Sequence, residues 1–378
     1  MYSFVNKTRK RLNNFQFIFL LVYSLLGVFI LIGLLIHFKK EKSNSELSLE
    51  HIKLNELTVL IPYRNEALNL DKLIKSIEKQ TALPFQILFI DDHSTDNGRN
   101  EIEKLNNSIP YQIINLPDKI QGKKAAIRFG IQSSRTDYLL TLDADVEFDS
   151  TYFSSLQKNE KADMLILPVI MQGKGVKQTF FELDYSISNA INTAISSLKR
   201  PFIASGANLL FKKDSFLKFD NYDSHKEIAS GDDVFLLHDF QKNNCQVRII
   251  TSNSNAVFTE TPLTINSFLH QRLRWISKGN KVKDQLSNSL AFIAGLSHLI
   301  FTILVILLIS NKEWLELLEF IFIKSIIEII IYFPYFKQID RQKTLLFIPL
   351  STIIYPFYIL TLIILPLFIE IKWKDRTI

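Results

Sequence analysis

Two kinds of apolar pattern alternate along the chain, and the change from one to the other divides it. Residues 15–38, FQFIFLLVYSLLGVFILIGLLIHF, contain no acid, lysine or arginine. At about 1.5 Å per helical residue, this run is long enough to cross a hydrocarbon core of roughly 30 Å. Three further apolar stretches lie near 290–310, 314–333 and 344–369. Between them the apolar runs shorten. LTVLIP (57–62) precedes a helix around 66–80 that carries Leu70, Leu73, Ile74 and Ile77 on one face. FQILFI (85–90) is followed by a charged helix near 96–106, YQIINL (111–116) by a helix at about 122–134, and YLLTLD (138–143) comes next. Continuous apolar strands separated by helices predict an α/β fold with a mostly parallel sheet covered by helices. ADMLILPVI (162–170), a helix near 177–197, the glycine turn ASGANLLF (204–211) and a helix opening at SGDDVFLLHDF (230–240) complete the middle region.

The expected organisation is an N-terminal membrane anchor (1–38), a polar linker (39–56) and an α/β domain (57–261). An interfacial amphipathic helix (262–285) and a C-terminal membrane region of about three segments (286–378) follow. The first apolar run exceeds a signal-peptide core, and HFKKEKSNSE offers no small-residue cleavage site, so it reads as a retained anchor. These membrane stretches account for a 47% hydrophobic content and 30 phenylalanines in a chain with 22% charged residues. The net charge of +6 comes partly from clusters flanking the anchor, Lys7, Arg9, Lys10 and Arg11 before it and Lys39, Lys40 and Lys42 after it. Anionic lipid headgroups suffice as their partner, with no need for nucleic acid. A single cysteine, Cys245, excludes an intrachain disulfide framework.

The polar clusters fall where the strands end: YRNE after the first, DDHSTD after the second and DAD after the fourth. Ligands of open parallel sheets bind at those carboxyl ends. On a strand, Asp143 and Asp145 of TLDADVEF would point to one side. Two carboxylates held together repel unless a cation lies between them, and hard oxygen ligands suit Mg²⁺ or Mn²⁺. No G-x-G-x-x-G follows the first strand and no G-x-x-x-x-G-K-[ST] occurs, so dehydrogenase and P-loop chemistry lose their main support. In LHQRLRWISKG (269–279), Gln271, Arg274 and Trp275 share one helix face. The same stretch suits a basic amphipathic helix at a membrane surface.

Together these residues resemble the family 2 inverting glycosyltransferases, in the membrane-embedded branch of cellulose and hyaluronan synthases, over roughly 56–285. IPYRNE is similar to the family's nucleotide-binding first loop, DDHSTD to its D-D-x-S-x-D turn and GKKAAIRFG to the basic helix after the third strand. LDADV is similar to the metal-binding D-x-D, SGDDVF to the acceptor-base motif and QRLRW to Q-x-x-R-W. The resemblance implies a GT-A fold and nucleotide-sugar contacts from Pro62, Tyr63, Glu66, Asp91, Asp92, Lys123, Lys124 and Asp143. Asp145 is implied as a direct metal ligand, with Asp143 on the metal or the ribose. Asp233 is implied as the base and Asp232 as its support, Arg274 as a cation on the leaving diphosphate and Trp275 as an acceptor platform. Gln271 would meet either the diphosphate or the acceptor. Arg64 and His93 stand where the family often has Asn or Gly.

The implied activity is metal-dependent hexosyl transfer from a nucleotide sugar, most simply a UDP-sugar, with inversion. Three functions follow as alternatives: extension of a β-linked polysaccharide, addition of one sugar to a membrane lipid, and a nucleotide-sugar-binding subunit without catalysis. Cytosolic nucleotide sugars would place the catalytic domain on the cytosolic side of the plasma (inner) membrane. FKQIDRQK (336–343) then falls inside, while the basic tail KWKDR falls outside. The flanks of the first anchor are about equally basic, so they do not orient it. Lys324 and Glu328 stand one turn apart and are expected either to pair or to line a polar path for sugar.

Overall fold

A computed structural model of the chain describes residues 2–47, 50–221, 231–282, 284–365, 372–373 and 376–377. Helix α1 (Tyr2–Leu47) runs through the anchor and the first nine residues of the segment that reads as a polar linker. The α/β layer then alternates as β1 (Leu57–Tyr63), α2 (Ala67–Glu78), β2 (Gln86–Asp91), α3 (Gly98–Ile102), β3 (Tyr111–Asn115), α4 (Lys123–Ser133) and β4 (Tyr138–Leu142). It continues with α5 (Tyr152–Leu156), β5 (Met164–Ile166), β6 (Val169–Gln172), α6 (Val176–Leu198), β7 (Asn208–Lys212), α7 (Lys213–Phe219), α8 (Asp232–Lys242), β8 (Val247–Ile249) and β9 (Val257–Glu260). Helices α9 (Ile265–Val282), α10 (Gln285–Ser310), α11 (Trp314–Gln338) and α12 (Ile348–Ile364) follow.

The main sheet has the order β3-β2-β1-β4-β7-β5-β8. Strand β1 lies parallel to β2 on one side and to β4 on the other, with Val59 beside both Ile87 and Leu140. Strand β7 runs antiparallel to β4 and β5. Because β1 is central, all seven of its residues are buried. Val59 and Ile61 join Phe89, Leu140, Leu73, Ile77 and Tyr152 on one face of the sheet, while Leu60 joins Leu88, Ile90, Ala126, Ile131 and Phe240 on the other. The apolar run 162–170 does not form one strand. Pro168 divides it, so β5 stays in the main sheet and β6 leaves to pair with β9. Proline has no N–H for a ladder bond, and its carbonyl instead accepts from the Val257 amide at 3.0 Å. The helix expected at 96–106 is shorter, Gly98–Ile102. The chain tightens into i→i+3 bonds there, from Lys104 N–H to Glu101 and from Leu105 N–H to Ile102.

Helices Leu12–Ser43 and Gln285–Ser310 and the segment Gln342–Ile364 are long and apolar enough to cross a bilayer. Helix α11, which carries Glu316, Glu319, Lys324 and Glu328, packs among α1, α10 and α12. Lys324 is 2% exposed and donates to Glu328 at 2.6 Å. Glu328 also accepts from Tyr23 at 2.5 Å and from Thr352 at 3.1 Å, so the pair ties α11 to α1 and α12. The pairing expected from the one-turn spacing is therefore present.

The α/β layer is fastened to this bundle at three places. Glu41, near the end of α1, accepts from the amides of Thr251 and Ser252 at 2.8 and 3.2 Å. Arg341 and Thr344, between α11 and α12, bond Gln172 at 3.0 Å and Glu182 at 2.9 Å. The segment 336–343 thus lies at the end of the bundle that meets the α/β layer. Helix α6 crosses α1 closely, and a Cβ built on Gly33 would stand 2.6 Å from the Ala194 carbonyl oxygen.

Candidate active site

The first loop and the turn after β2 hold each other. Asn65 sits at φ 56, its amide donates to Ser94 Oγ at 3.1 Å and its side-chain oxygen accepts from Thr95 N at 2.8 Å. Asp96 caps the neighbouring turn by accepting from Ala67 N at 2.8 Å. Asp91 accepts from Ser94 N at 2.9 Å, and His93, at φ 58, contacts the Ile120 carbonyl at 2.9 Å. His93 is thus a turn residue. Pro62 and Tyr63 are buried at the end of β1. Burial, followed by the charge of Asp91, pushes the Tyr63 phenol well above its ordinary range. Glu66 accepts from Asn69 at 2.6 Å as α2 begins.

Asp92 is only 6% exposed. Both its oxygens accept from the Gly122 amide, at 2.9 and 3.0 Å, and Arg64 lies 3.7 Å away. This contact fixes the N-terminus of α4 and with it the two lysines that follow. Lys123 reaches Asp143 at 2.5 Å, whereas Lys124 turns over the ring of Phe235 at 4.6 Å. Lys123, expected on a diphosphate, here neutralises an acid of the D-x-D pair.

Strand β4 ends at Leu142, one residue before the first of those acids. Asp143 and Asp145 therefore lie in the turn beyond the strand, and the turn brings them together rather than strand alternation. The Asp145 side chain keeps contact with solvent, although protein atoms crowd around it. Its pKa is pushed up to about 6, first by that surrounding mass and then by the charges of Asp143 and Glu66, with Lys123 opposing. A divalent cation would relieve this repulsion, and the two hard carboxylates suit Mg²⁺ or Mn²⁺. Among the described residues no three acids, histidines or cysteines cluster as a ready metal cage.

Asp233 lies in the first turn of α8, after Gly231 at φ 95. Its carboxylate accepts from Val234 N at 2.8 Å and from Gly206 N at 3.2 Å. Lys124, Thr141, Gly206 and Asp233 line one cavity, which places Asp233 beside β4 and the basic start of α4. The side chain of Asp232 lies outside the described residues. Gln271, Arg274 and Trp275 are half-buried on α9. Trp275 packs 5.7 Å from the Tyr185 ring.

Sequence reasoning missed Arg272 and its partner. Arg272 is 5% exposed and donates to Asp184 at 2.6 Å. Its signal was a cation one turn after the apolar Phe268, on the buried stripe of the helix.

Residues 58–218 match the model of Glycosyl transferase family 2. The chain carries a glycosyl transferase family 2 domain. A poly-β-1,6-N-acetyl-D-glucosamine synthase of Staphylococcus epidermidis is 24% identical over 277 residues, 70% of this chain and 66% of that protein. A poly(ribitol-phosphate) β-N-acetylglucosaminyltransferase, TarP, of Staphylococcus aureus is 28% identical over 161 residues, 39% of this chain and 48% of that protein. The chain thus spans just under two thirds of the first relative and about half of the second. A mannosyltransferase of Pyrobaculum calidifontis, solved with GDP-Man and Mn²⁺, superposes with a TM-score of 0.52 at 12% identity. That superposition covers 88% of this chain and 99% of the other, and it shows a shared GT-A-like fold.

Proposed function

We propose that the protein is a membrane-embedded, metal-dependent glycosyltransferase that moves a sugar from a UDP-sugar to an acceptor hydroxyl with inversion, building a β-linked polysaccharide. The observation that carries this reading is that Asp143 and Asp145, within the stretch 58–218 that matches family 2, lie at the same end of the sheet as Asp233, which follows that stretch. The relative named as a poly-β-1,6-N-acetyl-D-glucosamine synthase supports the polymer, and its match runs on past the domain to 70% of this chain.

In this reading the donor lies across the ends of β1, β2 and β4, with its base and ribose toward Tyr63, Glu66, Asp91 and Asp92. Asp143 and Asp145 would hold Mg²⁺ or Mn²⁺, and a cation bound there would supply positive charge against the leaving diphosphate. Lys123, which pairs with Asp143 in this structure, is placed to reach a phosphate oxygen of the donor. Arg274 presents a planar donor fork suited to phosphate oxygens. Asp233, its carboxylate held by two amides, takes the proton from the acceptor hydroxyl. That oxygen bonds to the anomeric carbon as the carbon–diphosphate bond breaks, and a single displacement inverts the centre. The exposed part of the half-buried Trp275 receives the acceptor sugar. The catalytic end of the bundle faces the cytosol, where nucleotide sugars reside.

The test is Asp233→Asn in purified full-length protein in nanodiscs with Mn²⁺, supplied with UDP-N-acetylglucosamine. Transfer should fall by at least about 10²-fold, the scale of a lost general base, while UDP affinity stays within about twofold. Turnover at the normal rate would remove Asp233 from the base position. In the unaltered protein, short lipid-extractable product in place of long polymer would replace the polysaccharide reading with glycolipid synthesis.

A further inference from the structure

None of the steps above uses Arg272, a buried cation that packs against Trp275. Its Nε donates to Asp184 Oδ2 at 2.6 Å, and Asp184, on α6, is itself 6% exposed. The other oxygen of Asp184 accepts from the Tyr355 hydroxyl at 2.6 Å, and the Tyr358 hydroxyl reaches Oδ2 at 3.4 Å. Both tyrosines belong to α12. The guanidinium carbon stands 4.3 Å from the centre of the Trp275 ring and 4.6 Å from that of Phe268. Nη1 faces the side-chain oxygen of Gln271 at 3.5 Å, and Nη2 is buried with no hydrogen-bond partner among the described residues. A buried ion pair rarely outperforms packed apolar side chains in stability, and an unmet donor makes it poorer still. Stability alone therefore gives a weak reason for this arrangement.

We propose that Arg272 is a positioning residue: it fixes the plane of the Trp275 indole and the amide of Gln271, and Asp184 with Tyr355 and Tyr358 keys that setting to the membrane helix α12. The role given to Trp275 rests on the transfer reading above. A guanidinium lies flat on an indole face, which a lysine ammonium cannot do. Arg272 thereby covers the Trp275 ring, Tyr185 packs beside it at 5.7 Å, and the part of the half-buried indole that stays exposed is held at a fixed angle for a sugar ring. Because the counter-ion of Arg272 is shared with two hydroxyls of α12, a shift of that helix would be felt at the acceptor platform.

The experiment uses full-length protein in nanodiscs with Trp314→Phe and Trp373→Phe, which leaves Trp275 as the single tryptophan of the three in the chain. Arg272→Met, Arg272→Lys and Tyr355→Phe are compared by acrylamide quenching of Trp275. They are also compared by transfer from UDP-N-acetylglucosamine to added N-acetylglucosamine. Arg272→Met should raise the quenching constant at least about twofold and the acceptor KM about tenfold, with a smaller change in donor KM. Arg272→Lys should not rescue, and Tyr355→Phe should move both readouts in the same direction by less. Unchanged quenching in Arg272→Met overturns the proposal, as does a loss confined to donor KM. If Arg272→Met does not fold, Arg272→Lys and Tyr355→Phe decide it by the same readouts. If the unaltered protein transfers no sugar, the transfer reading fails, and quenching still decides whether Arg272 sets the indole.

Discussion

Replacing Glu328 with Gln keeps the side-chain shape while removing the counter-charge of a lysine that is 2% exposed. The lost contact is the 2.6 Å ion pair; the amide oxygen in the place of Oε1 can still accept from Tyr23, and the amide nitrogen in the place of Oε2 can donate to the Thr352 hydroxyl. Removing one partner of a buried pair costs about 3–5 kcal/mol. Here the lower end applies, because the rings of Tyr23 and Phe301 still face the ammonium at 4.9 and 5.0 Å. A cost of about 3 kcal/mol shifts the folded-to-unfolded ratio roughly 150-fold. The double variant Lys324→Met/Glu328→Gln removes both charges and should return to within about 1 kcal/mol of the parent. The assay is thermal unfolding in nanodiscs, with transfer measured on the surviving folded fraction. A double variant as unstable as Glu328→Gln would refute the argument that unpaired charge carries the cost. A stable double variant without transfer would show that the ionised groups act beyond structure, as a polar path for sugar requires.

Two further predictions concern glycines. At Gly33 an added Cβ meets the Ala194 backbone at 2.6–3.0 Å, while at Gly27 it meets the far end of the Ile331 side chain at 2.0 Å. Backbone cannot step aside as a side chain can, so Gly33→Ala should cost about 1–3 kcal/mol and Gly27→Ala less, despite its shorter distance. The ranking is read from melting of the two variants. Gly122 holds φ 99 and ψ 156, a conformation nearly restricted to glycine. Gly122→Ala should therefore cost about 1–3 kcal/mol and weaken UDP binding, measured by calorimetry, because the Asp92 contact that aims Lys123 depends on that turn.

Most of the α/β layer was legible because its strands are buried on both faces and read as unbroken apolar runs, as in LTVLIP and FQILFI. The site was legible for a related reason, since acids and turn residues can follow such strands only where the sheet ends. What could not be read is directional or distant. Nothing in ANLLF reveals that β7 enters between β4 and β5 antiparallel to both. The end of β4 at Leu142 was overrun by one residue because DAD continues a strand-like alternation while the backbone already turns. Arg272 and Asp184 are 88 residues apart, and their pairing depends on α6 and α9 meeting against α12. By contrast, the pairing of Lys324 and Glu328 was visible because helical spacing makes it local.

The fit of α1 against α6 bears on how the catalytic layer can be handled in isolation. Leu34 of α1 shares a cluster with Leu183, Ala190 and Ala194 of α6, and Glu41 satisfies the amides of Thr251 and Ser252. A truncated chain beginning at residue 50 would uncover that apolar stripe and leave those two amides to water. The first helix is a wall of the catalytic layer as much as a tether. A soluble fragment cut at the apparent membrane boundary would be expected to self-associate through the bare face of α6.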